Sequence, residues 1–447
     1  MKRVYFIGIG GIGMSALARF FAHQGYAVAG YDRTSTALTQ ALEQEGIPVC
    51  YTDSEEAIPV DFRQDKAMQV IYTPAIPQDS VVLRYVLANG FEIMKRSAAL
   101  GLLCNDKYLM AVAGTHGKTT TSTLAAHLNA VGAGQGSAFL GGISKNFGSN
   151  LVLGSGSRVV VEADEFDRSF LQLTPRVALV TACDADHLDI YGTPEEFLHA
   201  FRQFLSQVSD CSIVKFGLPL PSKYTYSLDN RASDYYARNI TLLEGGYYQY
   251  DIVMPDRVLE RCRLGIPGLV NVENSVGAVA LVSASGDFCE QNIKQALASF
   301  SGVARRFDFW VNTSRGVYMD DYAHHPQELR AMITSVRGMM PHRHLTVIFQ
   351  PHLYTRTRDF AAEFIRSLSL ADRVILLPIY PAREEPIEGV TSQMLLEGIS
   401  CEKHLCEASE LTTLLENLST DVVVTAGAGN IDLLRDGVSQ VIKNKLG

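Results

Sequence analysis

The segment Tyr108 to Thr121, YLMAVAGTHGKTTT, constrains the fold of this chain more than any other stretch. Its apolar half predicts a buried strand, and the glycines that follow predict a tight turn into a helix opening at Lys118. Such a turn aims backbone N–H groups and a helix N-terminus at a polyphosphate. Lys118 then sits against the β and γ phosphates of ATP, and the Thr119 hydroxyl ligates Mg²⁺. The usual G-x-x-x-x-G-K-[ST] spacing wants a glycine where this chain has Val112, and Gly114 supplies the turn from a shorter spacing. The alternative is a strand-to-helix turn that binds nothing.

At 447 residues the chain exceeds one core and predicts two or three domains. A hydrophobic fraction of 47% and a charged fraction of 19% are those of an ordinary globular protein. The net charge of -9 argues against nucleic acid as a partner, because phosphate binding needs a clustered basic surface. The opening MKRVYFIGIGGIGMSALARFF puts cations before an apolar run, but its glycines and amphipathic continuation fit strand, turn and helix better than a signal peptide. No apolar run is long enough to span a membrane, so no membrane insertion is expected. The 8 cysteines are scattered without a C-x-x-C pair and read as reduced packing thiols of a cytoplasmic protein. A monomer or homodimer is expected.

Three α/β blocks follow one another. Residues 1–104 alternate strands (VYFIGI, AVAGYD, QVIYTPAI, EIMKRS) with helices over Met14 to His23, Ala37 to Glu45 and Val81 to Ala88, the pattern of a Rossmann-like parallel sheet. Residues 105–300 carry the phosphate loop, RVVVEADE, RVALVTACDADHLD and a helix over Pro194 to Gln207. Between Cys211 and Gly268, short Tyr-rich strands with tight turns predict an antiparallel excursion, and a helix over Asn271 to Ser285 closes the block. Residues 301–447 alternate again, with strands VYMDDY, HLTVIFQ, RVILLPIY and DVVVTAGAG and helices over Pro326 to Arg337, Arg358 to Leu368, Ser392 to Leu396 and Ala408 to Asn417, as a second Rossmann-like domain. Clefts between domains are the expected place for a site.

Gly8, Gly10 and Gly13 make a G-x-G-x-x-G match, with Asp32 after the second strand where dinucleotide-binding proteins hold a ribose hydroxyl. Physically the fingerprint says only that a diphosphate approaches the backbone at a helix N-terminus. A nicotinamide or flavin cofactor, another nucleotide diphosphate, and a turn without ligand all satisfy it. VVVEADE sets Glu162, Asp164 and Glu165 at a strand end beside the phosphate loop, suited to Mg²⁺ directly or through water, or else to a solvated helix cap. His187, flanked by Asp186 and Asp189, ends the next strand as a metal ligand or a structural histidine. In the last block MDDYAHHPQE brings Asp320, Asp321, Tyr322, His324 and His325 to one strand end, and QPHLYTRTRD brings His352, Arg356 and Arg358 to another. These suit an amino acid's carboxylate and amine, since arginine grips carboxylate bidentately; separate surface loops are the alternative.

Read together, A-x-G-T-H-G-K-T-T-T, E-A-D-E, A-D-H-L-D, R-R-F-D-F (Arg305 to Phe309), D-D-Y-A-H-H-P and Q-P-H-L-Y-T-R-T-R-D resemble the Mur ligase family in order and spacing over essentially the whole chain. Tyr380 to Gly389 and Gly427 to Ile431 are similar to its alanine-adding members. The resemblance implies UDP-N-acetylmuramate in the first domain, ATP in the second and L-alanine in the third, with an acyl phosphate as intermediate. It assigns Gly8, Gly10, Gly11, Ile12, Gly13, Met14, Asp32 and Thr73 to the UDP-sugar. Gly114, Thr115, His116, Gly117, Lys118, Thr119, Thr120, Asn271, Asn274 and Arg305 go to ATP. Glu162 with Thr119 would hold one Mg²⁺ and His187 a second, while Tyr322, His324 and Arg356 would hold the amino acid, with His324 as a proton acceptor.

The chain departs from the family pattern at Val270, at Leu353 in place of an arginine, and at Phe166 and Arg168 in place of smaller residues. Two rivals remain at this stage. A relative that attaches a recycled murein peptide to the same sugar differs in its amine pocket, and an NAD-dependent oxidoreductase would use the first glycine loop but leave Thr115 to Thr121 unexplained.

Overall fold

A computed structural model describes residues 2–132, 136–184, 188–286, 289–382 and 384–446. It contains three sheets, of five, ten and six strands. By compactness the chain divides into two units. One holds residues 1–238, 251–262 and 273–301, and the other holds 239–250, 263–272 and 302–447.

In the first unit, Arg3–Ile7 lies at the centre of the five-stranded sheet, parallel to Ala27–Tyr31 on one side and to Gln69–Tyr72 on the other. Val49–Cys50 and Glu92–Lys95 extend its two edges, also in parallel. Because the strands are parallel, the glycine loop, Asp32, Thr73 and Arg96 all follow carboxyl ends on one edge. The first loop turns because Gly8 takes φ +86, and a Cβ there would lie 2.5 Å from Thr73 Cγ2.

The second sheet is built around Tyr108–Ala113, paired in parallel with Arg158–Glu162 and with Val177–Val180. All four residues of Val177–Val180 and most of Tyr108–Ala113 are buried, as parallel strands covered on both faces must be. The strands Cys211–Lys215, Tyr224–Ser227 and Tyr235–Leu242 continue this sheet in parallel, where antiparallel pairing was expected. The links 216–223 and 228–234 are long enough to carry the chain back along a short strand, since an extended residue spans about 3.3 Å. Tight turns do follow further on, closed by Leu243 N–H on the Tyr247 carbonyl and by Met254 N–H on that of Arg257.

Helix Pro194–Ser206 shows how sequence positions a site. Thr193 caps it by accepting from Glu196 N–H at 3.2 Å, Pro194 occupies the first turn, and Phe197, Ala200, Phe201 and Phe204 recur at helical spacing. That stripe packs on Phe170, whose ring stacks on Phe204 at 4.9 Å between centroids and meets Phe201 edge-on at 5.1 Å. Each such pair adds about 0.5–1.5 kcal/mol beyond burial. Phe170 belongs to the turn Phe166–Gln172 that directly follows the E-A-D-E carboxylates, so the aromatic cluster anchors them.

In the second unit, the strand order is Asp308–Asn312, Val317–Asp321, Val422–Ala426, Leu345–Phe349, Arg373–Leu376 and Glu402–Leu405. All but the first pairing are parallel. The helix expected over Arg358 to Leu368 is two, Tyr354–Asp359 and Ala361–Leu368, because Phe360 leaves the helical region at φ -112, ψ 20.

Candidate active site

The phosphate loop is shaped by two glycines that take positive φ, +131 at Gly114 and +83 at Gly117. A Cβ on Gly114 would lie 2.3 Å from Thr181 Oγ1 and 2.7 Å from the Ala182 nitrogen, so the loop presses on the next strand end. Helix Lys118–Gly132 then opens with Lys118. Its Nζ donates to Glu165 Oε1 at 2.8 Å and to the Gly114 carbonyl. Glu165 is 2% exposed, and its Oε2 finds no partner among the described residues. Burial alone would lower the pKa of Lys118, but Glu165, Asp164 and Glu162 hold it up; burial pushes Glu165 up against the opposing charge of Lys118. The lysine therefore stays a cation, the form a polyphosphate needs.

Thr119 Oγ1 donates to Glu162 Oε1 at 2.9 Å, while Ser122 Oγ (3.3 Å) and Gly141 N–H (2.9 Å) donate to Oε2. The carboxylate is thus fixed from helix Lys118–Gly132 and from strand Ser137–Ser144. Hard oxygen donors of this kind suit Mg²⁺, which takes one or two carboxylates together with substrate phosphates. The set fits a Mg²⁺–ATP complex, and among the described residues no group of three His, Cys, Asp or Glu side chains would hold an ion alone. His187 and Asp186 lie outside the described residues.

A cavity of about 290 Å³ joins this carboxylate to the first glycine loop, with Gly11, Ile12, Gly13, Met14 and Thr73 on one wall and Glu162 and Asp164 on the other. Of the remaining residues expected at the sugar, Asp32 accepts from Gly10 N–H at 2.8 Å and so braces the loop. Gly8 forms its turn. Thr115 and His116 continue the phosphate loop, with Thr115 N–H on the Ala182 carbonyl at 3.2 Å and the His116 carbonyl accepting from Thr181 Oγ1. Thr120 follows in the helix. Asn274 faces Gly117, its Oδ1 3.1 Å from a Cβ built there.

The second unit gathers the residues expected at the amino acid. Asp320 and Asp321 end a buried strand, and burial raises both, Asp320 to about 6 against the pull of Arg305. Arg305 reaches Asp320 Oδ2 at 3.3 Å and the Gly427 carbonyl, and lies with Arg306 over the Tyr322 ring, 5.1 and 5.0 Å from its centroid. Asn271, also in this unit, donates to the Pro267 carbonyl at 2.7 Å. His324 lies 5.2 Å from Tyr322 and 6.1 Å from His352, ring to ring. Its Nδ1 is 3.0 Å from the Tyr322 carbonyl and 3.3 Å from Glu328 Oε2. His352 stacks on Tyr380 at 5.7 Å, and Arg356 Nη1 comes within 3.5 Å of its Nδ1. Burial lowers His324, with Glu328 opposing. Burial followed by the charges of His324 and Arg356 takes His352 down to about 4. Both imidazoles are neutral near pH 7 and able to accept a proton.

Sequence reasoning missed Ser122, Gly141 and Arg96. The first two hold Glu162 through approaches between distant strands and helices, which no local motif announces. Arg96 had a signal, since it directly follows the strand Glu92–Lys95, the same placement that singled out Asp32.

Three family models match in turn. The Mur ligase family catalytic domain covers residues 3–108, the Mur ligase middle domain 112–282, and the Mur ligase glutamate ligase domain 305–429. The chain is 47% identical to a UDP-N-acetylmuramate–L-alanine ligase of Phocaeicola vulgatus over 97% of this chain and 96% of that one. It is 46% identical to one of Parabacteroides distasonis, over 98% and 97%. Among solved structures it matches the UDP-N-acetylmuramate–alanine ligase of Thermotoga maritima with a TM-score of 0.83 at 25% identity, over 100% and 99% of the two chains. A murein peptide ligase of Psychrobacter arcticus shares the fold with a TM-score of 0.69 at 20% identity, over 99% of each. The chain belongs to the Mur ligase family.

Proposed function

We propose that this chain joins L-alanine to UDP-N-acetylmuramate at the expense of ATP, in peptidoglycan precursor synthesis. The lactyl carboxylate of the sugar attacks the γ phosphorus, ADP leaves, and an acyl phosphate forms. The alanine amine then attacks the acyl carbon, phosphate leaves, and the amine gives up a proton. The observation that carries this reading is the cavity between the first glycine loop and Glu162, whose carboxylate accepts from Thr119 at the start of the phosphate-loop helix. Full-length similarity to alanine ligases supports it.

In this reading Lys118 neutralises charge at the γ phosphate, which is most of what phosphoryl transfer asks of a protein. Thr119 and Glu162 would hold Mg²⁺, which supplies further neutralisation there, and His187 is retained as a second ligand. Gly114 to Thr120, Asn271, Asn274 and Arg305 serve ATP. Gly8, Gly10 to Met14, Asp32 and Thr73 serve the UDP-sugar, and Tyr322, His324 and Arg356 serve alanine, His324 taking the amine proton. The domains run 1–104, 105–300 and 301–447. The 8 free cysteines favour a reducing, cytoplasmic setting, and we retain a monomer or homodimer as the working form. No helix among the described residues is long and apolar enough to cross a membrane.

The test is phosphate release from ATP with UDP-N-acetylmuramate and L-alanine, glycine, L-serine or a murein peptide offered singly. Release that requires both the sugar nucleotide and L-alanine is expected. Turnover without the sugar nucleotide, or with the peptide alone, would refute the reading.

A further inference from the structure

Arg96 opens helix Arg96–Cys104 at the end of strand Glu92–Lys95. Its side chain crosses the first glycine loop so closely that a Cβ on Gly13 would lie 2.7 Å from its Nη1. Nη2 donates to Asp164 Oδ2 at 2.9 Å, and the side chain is 18% exposed. Among the described residues Asp164 alone accepts from this guanidinium, which leaves most of its N–H donors for a ligand. Arg96 is also the one cation among the described residues lining the cavity, where Glu162 and Asp164 supply two carboxylates. An anionic ligand entering that space meets repulsion unless a cation pairs with it.

We propose that Arg96 binds an oxyanion of the UDP-sugar, either its diphosphate or its lactyl carboxylate, with Asp164 holding the guanidinium over Gly13. The proposal rests on the functional reading above and adds a substrate-binding residue to it. A planar guanidinium fixed at one edge by a carboxylate presents its other edge in a set direction, which a lysine ammonium does not reproduce.

Titration calorimetry on the full chain tests this with three ligands: UDP-N-acetylmuramate, UDP-N-acetylglucosamine, which keeps the diphosphate but lacks the carboxylate, and ADP. Arg96→Met is expected to raise Kd for UDP-N-acetylmuramate by roughly 10–100-fold, the usual loss for a charge-assisted contact, with Kd for ADP unchanged. Weakening of both sugar nucleotides identifies the diphosphate as the partner; weakening of the muramate alone identifies the carboxylate. Unchanged Kd for both overturns the proposal. Should Arg96→Met lose ADP binding too, Arg96→Lys decides, since it keeps charge and stem: a raised Kd for UDP-N-acetylmuramate supports the proposal and an unchanged one overturns it. Failure of the functional reading itself would show separately, as wild-type protein that does not bind UDP-N-acetylmuramate.

Discussion

Lys118 Nζ lies 2.8 Å from Glu165 Oε1, so the cation of the phosphate loop already has an anionic partner inside the fold. A polyphosphate arriving at this loop takes up a lysine pre-aimed by that carboxylate, not one free in solvent. In the proposed reading Lys118→Ala removes a charge that acts on the transferring phosphoryl group, and the expected loss in turnover is roughly two to three orders of magnitude. Phosphate release at saturating ATP measures it; near-normal turnover would remove Lys118 from the mechanism.

Gly141 stands against Glu162 with no space for a methyl group, since a Cβ there would come 2.3 Å from Oε1 and 2.4 Å from Oε2. Gly141→Ala should push the carboxylate off Thr119 while leaving the backbone conformation allowed. Loss of a group that orients a metal ligand costs roughly 10–100-fold in metal affinity. With Glu162 a Mg²⁺ ligand, as proposed, the Mg²⁺ concentration for half-maximal activity is expected to rise by about 10-fold or more, read from a Mg²⁺ titration at fixed ATP.

Phe204 is fully buried against Phe170. Phe204→Ala leaves a cavity beside the turn that follows the carboxylates and should cost about 3–5 kcal/mol, the usual range for such a truncation. Urea unfolding of the two proteins gives the difference, and a shift under about 1 kcal/mol would mean the cluster collapses to fill the space.

His352 titrates near 4 in the folded chain and near 6.5 when unfolded. Between those values the unfolded chain binds the extra proton, so this group makes stability fall as pH drops from about 6.5 towards 4. His352→Gln should flatten that part of the stability profile relative to wild type. Parallel urea midpoints at pH 7 and pH 5 check the sign, and an equal loss in both proteins would contradict it.

Much of the scaffold was legible because parallel strands are buried on both faces and write themselves as apolar runs, as in Val177–Val180, with punctuation by glycine and by capping residues such as Thr193. The parallel return of Tyr224–Ser227 was not. Turn residues mark where a chain bends but not the edge along which it comes back. The helix Tyr354–Asp359 and its break at Phe360 were hidden as well: Leu353 at φ +72 starts it from a conformation that leucine rarely adopts, and nothing local to Phe360 marks its departure from helical angles. Within the candidate site Arg96 was passed over although it follows a strand end, whereas Glu162 and Asp164 were readable from that position. Gly141 and Ser122 were not, because their partner Glu162 is near only once the sheet has formed.

The cavity beside Glu162 has glycine on both rims, Gly13 under Arg96 and Gly141 under the carboxylate, each too crowded to carry even one more carbon without displacing its neighbour. For a small inhibitor shaped to that space, this limits escape. Resistance by adding bulk at either rim would displace Arg96 or Glu162, so in the proposed reading it would weaken binding of the substrate or of Mg²⁺ along with that of the compound.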